Sequence, residues 1–364
     1  MSQSTDRPAK GSRSRWRVLQ AVLSLAVVIG IFAFGLPKLA DMSQVWATIR
    51  DMTWLELTTL ALAAAWNFFT YWLVMIAVLP GLLLRQAAVA NMTGGAIANA
   101  LPGGGALAVG MTVAMFSSWG FTGSEITLSI LVSGVWNNFV KLGLPVVALA
   151  ILALQGSVGK GLVTAALIGV GVLAGAVALF AAMLSSRDMA FRVGRTVGRA
   201  ASALLRLVRR DPVDHWGEAA MRFREQTIDL LRGRWAWLTC ASLLSHLGLY
   251  VVLLLALRHV GVSNAEVSWT QVLGAFAFVR LLSAIPITPG GLGVVELGLT
   301  GALVLAGGDP EQVLAAVLVW RALTWLPTLP AGLATYLYWR ANRSWRTQEA
   351  VTTSQVTSVS PSSR

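Results

Sequence analysis

The sequence predicts an all-α polytopic membrane protein, and three observations lead to that fold class. Of its 364 residues, 56% are apolar and 12% are charged, about half the charged share of soluble proteins. Several apolar runs reach the roughly 20 residues that a membrane-spanning helix needs. The net charge of +12 divides into +4 in residues 1–17, +5 in 187–234 and +3 in 340–364, beside those runs. This pattern excludes a soluble globular protein and argues against a nucleic-acid partner, because basic segments of this kind mark the cytoplasmic side of a membrane.

Six apolar runs follow one another along the chain as predicted spans. They cover residues 18–36, 54–79, 125–154, 160–184, 235–257 and 311–339. Tryptophans at their edges, such as Trp54 and Trp235, are typical of an aromatic belt. The sequence predicts about six to eight transmembrane helices, and in addition two broken regions, in a single domain, 18–339. Residues 340–364 are rich in serine and threonine and predict a disordered cytoplasmic tail.

Two further apolar regions are interrupted by proline and glycine. Residues 82–120 contain Pro102-Gly-Gly-Gly105, and residues 268–307 contain Pro286-Ile-Thr-Pro289-Gly-Gly-Leu-Gly293. Each half is short for a tilted span. Each region is therefore predicted to be a re-entrant hairpin of two short helices that enters the membrane and returns on the same side.

The two hairpins lie in similar surroundings, which predicts an internal repeat. Each unit would consist of a span, a hairpin and a long broken span, over residues 54–154 and 235–339. With residues 1–17 in the cytoplasm, the basic segment 187–234 lies inside if the first hairpin opens to the cytoplasm. The basic C-terminal segment then lies inside if the second hairpin opens to the outer face, so the charges favour opposed hairpins. This arrangement is the inverted repeat of alternating-access transporters, with both termini in the cytoplasm of a multi-pass cell-membrane protein.

The segment 187–234 is an arginine-rich cytoplasmic loop. It contains a possible amphipathic helix from Arg192 to Arg210, with Arg195 and Arg199 near one face and Phe191 elsewhere. Besides fixing topology, these arginines are expected to contact anionic lipid headgroups.

Charged groups inside the membrane are few, and each needs a reason to be there. Glu296 follows the second break by three residues, where a carboxylate is favoured by the exposed N–H groups of a helix start. It either caps that half-helix or takes part in substrate binding. Arg280 or Arg321 could pair with it across the hairpin, and this ion pair is equally well explained as structural or as functional.

The functional hypothesis for the second hairpin is a headgroup site. A half-helix start built from Gly290, Gly291 and Gly293, with Arg280 or Arg321 beside it, would hold a phosphate group. The glycines would let the headgroup approach the backbone closely.

The first hairpin is uncharged between Arg85 and Glu125 and offers only neutral polar groups. Lys141 follows Asn137 by one turn, so these residues either line a polar path or make hydrogen bonds between helices. The candidate substrate-binding residues of the first repeat are Asn99, Pro102, Gly103, Gly104, Gly105, Asn137, Asn138 and Lys141.

No sequence motif indicates catalysis, a metal or a cofactor. Cys240 is the single cysteine, and the three histidines have no metal-binding spacing. His246 is expected to be a packing residue within an apolar span. Neither a Walker loop nor a nucleophile elbow is present.

The segment Arg280-Leu-Leu-Ser-Ala-Ile-Pro-Ile-Thr-Pro-Gly-Gly-Leu-Gly-Val-Val-Glu296, followed by Gly307-Gly308 and Trp320-Arg321, resembles the lysylphosphatidylglycerol synthase transmembrane-region family, also called flippase-like membrane proteins. The similarity extends over most of residues 18–339. It implies an inner-membrane protein with re-entrant helices, whose relatives move aminoacylated phospholipid to the outer leaflet. The residues that match the family pattern are Arg280, Pro286, Pro289, Gly290, Gly291, Gly293, Glu296 and Arg321.

Two features depart from that family. Members often carry a Gly-Glu and a nearby arginine in the first hairpin, where this chain has Pro102-Gly-Gly-Gly-Ala-Leu-Ala-Val-Gly-Met111. The chain also leaves no room for a soluble aminoacyl-transferase domain. It is therefore expected not to make the aminoacylated lipid, and its lipid need not be the usual one.

The function predicted from the sequence is translocation of an anionic or aminoacylated phospholipid, or of a lipid-linked substrate, without a cofactor. Two alternatives remain. One is a membrane-embedded transferase acting on lipid-linked substrates, which would need a base or nucleophile that the sequence does not display. The other is a scaffold that recruits an enzyme through the arginine-rich loop. The sequence leaves the oligomeric state open.

Overall fold

The computed structural model describes residues 41–101, 103–155, 160–207, 216–283 and 288–342. Within these ranges the chain is helical and contains no strand. The helices are α1 (Met42–Arg50), α2 (Trp54–Val78), α3 (Leu84–Ala100), α4 (Gly104–Ser118), α5 (Gly123–Leu154), α6 (Lys160–Ser185), α7 (Arg187–Leu207), α8 (Trp216–His259), α9 (Trp269–Leu282), α10 (Val294–Leu305), α11 (Pro310–Thr324) and α12 (Thr328–Ala341). A short 3₁₀ turn, Pro289–Gly291, precedes α10.

Five stretches of the described chain are long and apolar enough to cross a membrane. They are Trp54–Val78, Gly123–Leu154, Leu167–Ser185, Trp216–His259 and Pro310–Ala341. The all-α polytopic membrane fold is thereby confirmed. The predicted first span, 18–36, lies outside the described residues, as does the basic segment 1–17. Of the basic C-terminal segment 340–364, residues 343–364 also lie outside them, whereas Arg340 belongs to α12.

Both predicted breaks separate short helices. α3 and α4 flank the first break, and α9 and α10 flank the second. Pro102 and Pro286 lie outside the described residues.

The long spans differ from expectation in two places. The long span 125–154 is predicted to be broken, but α5 continues through its proline, Pro145, which is buried. A membrane helix tolerates the lost hydrogen bond because neighbouring groups satisfy the freed carbonyl. The span expected from residue 235 belongs to a helix that already begins at Trp216, so much of the arginine-rich loop is helical.

The chain forms two compact units. The first contains the described residues up to Ala61, together with Met92–Met111 and Leu253–Leu337. The second contains Leu62–Asn91, Thr112–Val252 and the described residues from Tyr338. These units cut across the two predicted repeats, because the inner part of the first hairpin clusters with the second repeat.

Aromatic rings hold α5 against α6 in the second unit. The ring of Phe180 lies 5.9 Å from that of Trp136 and 5.6 Å from that of Phe139, edge to face in both cases. The indole N–H of Trp136 donates to Thr239 Oγ1 on α8 at 3.0 Å. Such contacts stabilise helix packing in a membrane, where the hydrophobic effect does not drive helices together because lipid tails are also apolar.

The arginine-rich helix α7 packs antiparallel to the first turns of α8. A Cβ added at Gly198 would lie 2.5 Å from the Trp216 side chain, so only glycine permits this approach. At the other end, Arg187 pairs with Glu225 at 2.7 Å. Arg192, Arg195 and Arg199 are exposed, and their contact with anionic headgroups stays a prediction.

Candidate functional site

The turn before α10 takes its shape from three glycines with left-handed backbone angles. Gly290, Gly291 and Gly293 have φ values of 59°, 69° and 80°, a region that residues with a side chain rarely adopt. Gly290 is also tightly enclosed. A Cβ there would lie 2.6 Å from Trp325 Nε1 and 2.9 Å from Asn99 Oδ1.

Glu296 closes this turn from inside the protein. Its side chain is 1% exposed. Its Oε2 accepts a hydrogen bond from the Gly293 N–H at 2.7 Å, and its Oε1 accepts one from Arg321 Nε at 2.6 Å. The predicted helix cap and the predicted ion pair are thus both formed by this carboxylate.

Arg321 fixes the other end of the turn. It is 14% exposed, and its Nη2 donates to the Gly290 carbonyl at 2.9 Å. One guanidinium therefore ties α11 both to α10, through Glu296, and to the backbone of the turn. We call Glu296, Arg321 and the bonded turn residues Gly290 and Gly293 the clamp.

The clamp leaves little of the expected phosphate cradle open. The Gly291 N–H donates to the Thr288 carbonyl at 3.1 Å, and the Gly293 N–H is bound to Glu296. An anion at this helix start would compete with the protein's own carboxylate for the Gly293 N–H and for Arg321.

Arg280 is the second arginine considered from the sequence, and it takes no part in the clamp. α9 runs antiparallel to α10, since Gln271 Nε2 meets the Ala306 carbonyl at 3.5 Å and Val279 packs on Gly298. Arg280 therefore lies beside the first turns of α10. Its Nε is buried and has no hydrogen-bond partner within the described ranges.

Asn99 brings the first hairpin to the turn of the second. Its Nδ2 donates to Thr328 Oγ1 at 3.1 Å. The Thr328 hydroxyl itself donates to the Trp325 carbonyl at 2.6 Å, so it can only accept from Asn99. This assignment turns the amide oxygen of Asn99 towards Gly290.

The end of α3 reaches this place because it packs closely against α12. A Cβ at Gly332 would collide with Ala96 and lie 2.6 Å from the Met92 carbonyl. Thr93 and Thr335 join the two helices through their hydroxyls at 3.0 Å. Small residues at such a contact allow membrane helices to approach closely.

The first break forms a short turn below Asn99. Gly103 has φ 69°, and the Gly104 N–H donates to the Leu101 carbonyl at 2.8 Å. A Cβ at Gly105 would meet nothing within 4 Å. The glycines thus shape the hairpin, and of this group only Asn99 contributes a side chain to the contact between the two breaks. We call this contact, formed by Asn99, Gly290, Trp325 and Thr328, with Gly332 behind it, the junction.

The remaining candidates of the first repeat lie in the second unit. Asn138 is exposed, whereas Asn137 and Lys141 are half-buried, all on α5.

Two other residues considered from the sequence lie in the second repeat. Pro289 lies in the 3₁₀ turn. The buried His246 has its Nδ1 3.0 Å from the Ser242 carbonyl, as expected of a packing residue.

Sequence reasoning missed three residues of the junction, Trp325, Thr328 and Gly332. Trp325 and Thr328 flank the break between α11 and α12, which contains Pro327 and interrupts the long broken span predicted over 311–339. The signal in the sequence that could have found them is a tryptophan and a threonine beside a proline within a predicted membrane span.

The polar groups at the junction are suited to hydrogen bonding. Across the described residues, no three histidine, cysteine, aspartate or glutamate side chains lie close enough to hold a metal ion. The polar groups at Gly290 are one amide, one indole and a neutralised ion pair. They can hold a ligand through hydrogen bonds.

The chain was compared with known proteins. It matches no curated protein. The sequence model of the family described as Lysylphosphatidylglycerol synthase TM region matches residues 21–332. This match spans both hairpins, the clamp and most of the chain, so the protein belongs to the lysylphosphatidylglycerol synthase transmembrane-region family.

Proposed function

We propose that this protein moves a lipid headgroup from one leaflet of the cytoplasmic membrane to the other. The substrate would be an anionic or aminoacylated phospholipid, or another lipid-linked molecule. The observation that carries the proposal is the meeting of the two helix breaks, where Asn99 of the first hairpin lies against Gly290 of the second. In membrane transporters, broken helices of this kind form the substrate site.

Arg280 is the residue that we assign to the lipid phosphate. A guanidinium beside a helix break binds phosphate oxygens through charge-assisted hydrogen bonds. Arg280 suits this role better than Arg321, whose Nε and Nη2 are already used by Glu296 and Gly290.

Glu296 has a supporting role in this proposal. Both of its oxygens accept hydrogen bonds from the protein, and 1% of its side chain is exposed. A cationic amine on the lipid would have to displace Arg321 to reach it. Glu296 and Arg321 therefore hold the turn in shape, while other groups contact the headgroup.

The proposed orientation places the arginine-rich segment and both termini in the cytoplasm. It rests on the division of the net charge among residues 1–17, 187–234 and 340–364. Basic residues near the ends of spans favour the cytoplasmic side. The segment between the predicted first span and α2 would then face outward.

The test uses purified full-length protein in liposomes that contain a fluorescent phospholipid in both leaflets. A membrane-impermeant quencher reports how much of that lipid reaches the outer leaflet with time. We expect Arg280→Gln to slow translocation by about tenfold or more, the value of one charge-assisted hydrogen bond to phosphate. Arg50→Gln, at an exposed arginine of α1, is the matched control and should leave the rate unchanged.

Each outcome decides a separate point. If wild-type protein moves lipid no faster than protein-free liposomes do, under a membrane potential or a proton gradient as well as without one, the proposed function is wrong. If wild-type protein is active and Arg280→Gln is equally active, translocation stands and the assignment of Arg280 is wrong.

A further inference from the structure

The helix α7 presents a row of arginines on its outer side. Arg192, Arg195 and Arg199 follow one another at intervals of three and four residues, which places them on one face of the helix. All three are exposed, and none of them forms an ion pair within the described residues. Three like charges held side by side without carboxylates attract an anionic partner.

Apolar side chains border this row. Met189 and Val197 lie on the adjoining face, with the half-buried Val193 between them, and are 37% and 50% exposed. The opposite side of α7 is closed, because a Cβ at Gly194 or Gly198 would lie 2.5 Å from α8. Arginine and methionine are enriched where proteins bind one another. We call the exposed residues the docking face; they are Met189, Arg192, Arg195, Val197 and Arg199.

The axis of α7 runs away from the membrane along α8. Its first residue, Arg187, pairs with Glu225, and Gly198 lies against Trp216. From Glu225 to Trp216 is the direction away from Trp235, where the apolar part of α8 begins. Because α8 continues into a membrane span, α7 follows a membrane-crossing axis and does not lie flat on the bilayer surface.

This direction separates most of the docking face from lipid. Arg199 follows Ser185, the last residue of the span α6, by 14 residues, and its height above that end is about 20 Å at the usual helix tilt. The headgroup layer is about 5–8 Å thick, and attraction to its charges is screened over about 8 Å. Amphipathic helices that bind lipid surfaces lie in the plane of the bilayer. A lipid surface would therefore leave Val197 and Arg199 uncovered.

We propose that the docking face binds an acidic amphipathic helix of a partner protein. Carboxylates on that helix would pair with the three arginines, and its apolar side chains would cover Met189 and Val197. Charge attraction speeds such an encounter, and burial of the apolar side chains stabilises the complex. The docking face is separate from the clamp and does not require that the protein translocate a lipid.

The first experiment measures the binding of a designed acidic peptide. The probe is a fluorescent peptide of about 18 residues, or five helical turns, with glutamates on one face and leucines on the other. Fluorescence anisotropy reports its binding to the purified full-length protein in nanodiscs of phosphatidylcholine, and empty nanodiscs give the background. We expect saturable binding. A peptide of the same composition, with the two residue types mixed around the helix, should bind about tenfold more weakly.

Variants assign this binding to the docking face. The triple variant Arg192→Gln/Arg195→Gln/Arg199→Gln should weaken peptide binding about tenfold, because three exposed charge pairs each contribute a small factor. Val197→Ser should weaken it about threefold, through the loss of buried apolar area.

The matched control removes the same charge elsewhere. In Arg50→Gln/Arg222→Gln/Arg232→Gln, three exposed arginines outside α7 are replaced, so the net charge falls by the same amount. Its affinity for the peptide should stay within about twofold of the wild type, since net charge alone does not form the site.

A second experiment decides between a protein partner and a lipid surface. Val197→Cys is prepared in a Cys240→Ala background and labelled with an environment-sensitive fluorophore, in liposomes that contain phosphatidylglycerol. We expect the label to emit as it does in water and to be quenched by iodide. Leu247→Cys, at an exposed position in the apolar part of α8, is the reference for a label in lipid.

The inference is overturned if the peptide does not bind, if the mixed peptide binds equally well, or if the triple variant on α7 binds as its control does. A label at residue 197 that is as protected from iodide as the label at residue 247 would identify the membrane as the occupant and overturn it as well. Neither experiment measures translocation, so failure of the proposed function would leave this inference standing, and failure of this inference would leave the proposed function standing.

Discussion

Replacing Arg321 with methionine tests the clamp most directly. The substitution keeps the apolar length of the side chain and removes the partner of a carboxylate that is 1% exposed. Breaking a buried ion pair by removing one partner costs about 3–5 kcal/mol. The lost bond from Nη2 to the Gly290 carbonyl belongs to the same change. At about 2 °C for each kcal/mol in a protein of this size, the midpoint of thermal unfolding should fall by about 6–10 °C.

The companion variant Glu296→Gln/Arg321→Met separates charge from packing. Glutamine can still accept from the Gly293 N–H and leaves no buried charge, so the double variant should unfold at a higher temperature than Arg321→Met alone. The assay is thermal unfolding of the purified protein in detergent, followed by tryptophan fluorescence. Arg222→Met is the control, because it breaks an exposed pair with Glu218 at 3.9 Å and should have little effect. An unchanged midpoint for Arg321→Met, or a double variant that unfolds at no higher temperature than Arg321→Met, would refute the reasoning.

Two further predictions concern packing and topology. Gly332→Ala should lower the unfolding midpoint by several degrees, because its Cβ would collide with Ala96. Gly110→Ala is the control, since a Cβ there meets nothing within 4 Å, and its midpoint should match that of the wild type or exceed it. Equal losses for both variants would contradict the α3–α12 contact. The orientation is tested with single cysteines in a Cys240→Ala background. The variant Gln44→Cys should react with a membrane-impermeant maleimide in intact spheroplasts, whereas Ser354→Cys should react only after permeabilisation. The opposite pattern would show that the proposed orientation is inverted.

The breaks and the spans could be predicted because they depend on local chemistry. Proline and glycine end a helix unless neighbouring groups make up for the lost backbone hydrogen bonds. Their positions therefore located the breaks after Asn99 and before Val294. Hydropathy located the spans, since no other signal is needed for a helix in lipid. The boundary of α8 was harder, because its first turns are charged and exposed and follow no apolar run.

The partners within the site depended on tertiary contacts. From the sequence, the ion-pair partner of Glu296 could be narrowed to Arg280 or Arg321. Which of the two forms the pair depends on where α11 passes the turn. The contact of Asn99 with Thr328 joins positions 229 residues apart. Trp325 could be assigned to the site only from its contact with Gly290, which joins two helices that are separate in the sequence.

The length of α8 has a structural consequence. Its 44 residues form one continuous helix, which at 1.5 Å per residue extends about 66 Å, roughly twice the hydrocarbon thickness of a bilayer. Trp235 and Trp237, both exposed, mark where its apolar part begins. α7 packs against the preceding turns through Gly198. One uninterrupted helix thus connects the arginine-rich segment directly to a membrane-spanning stretch.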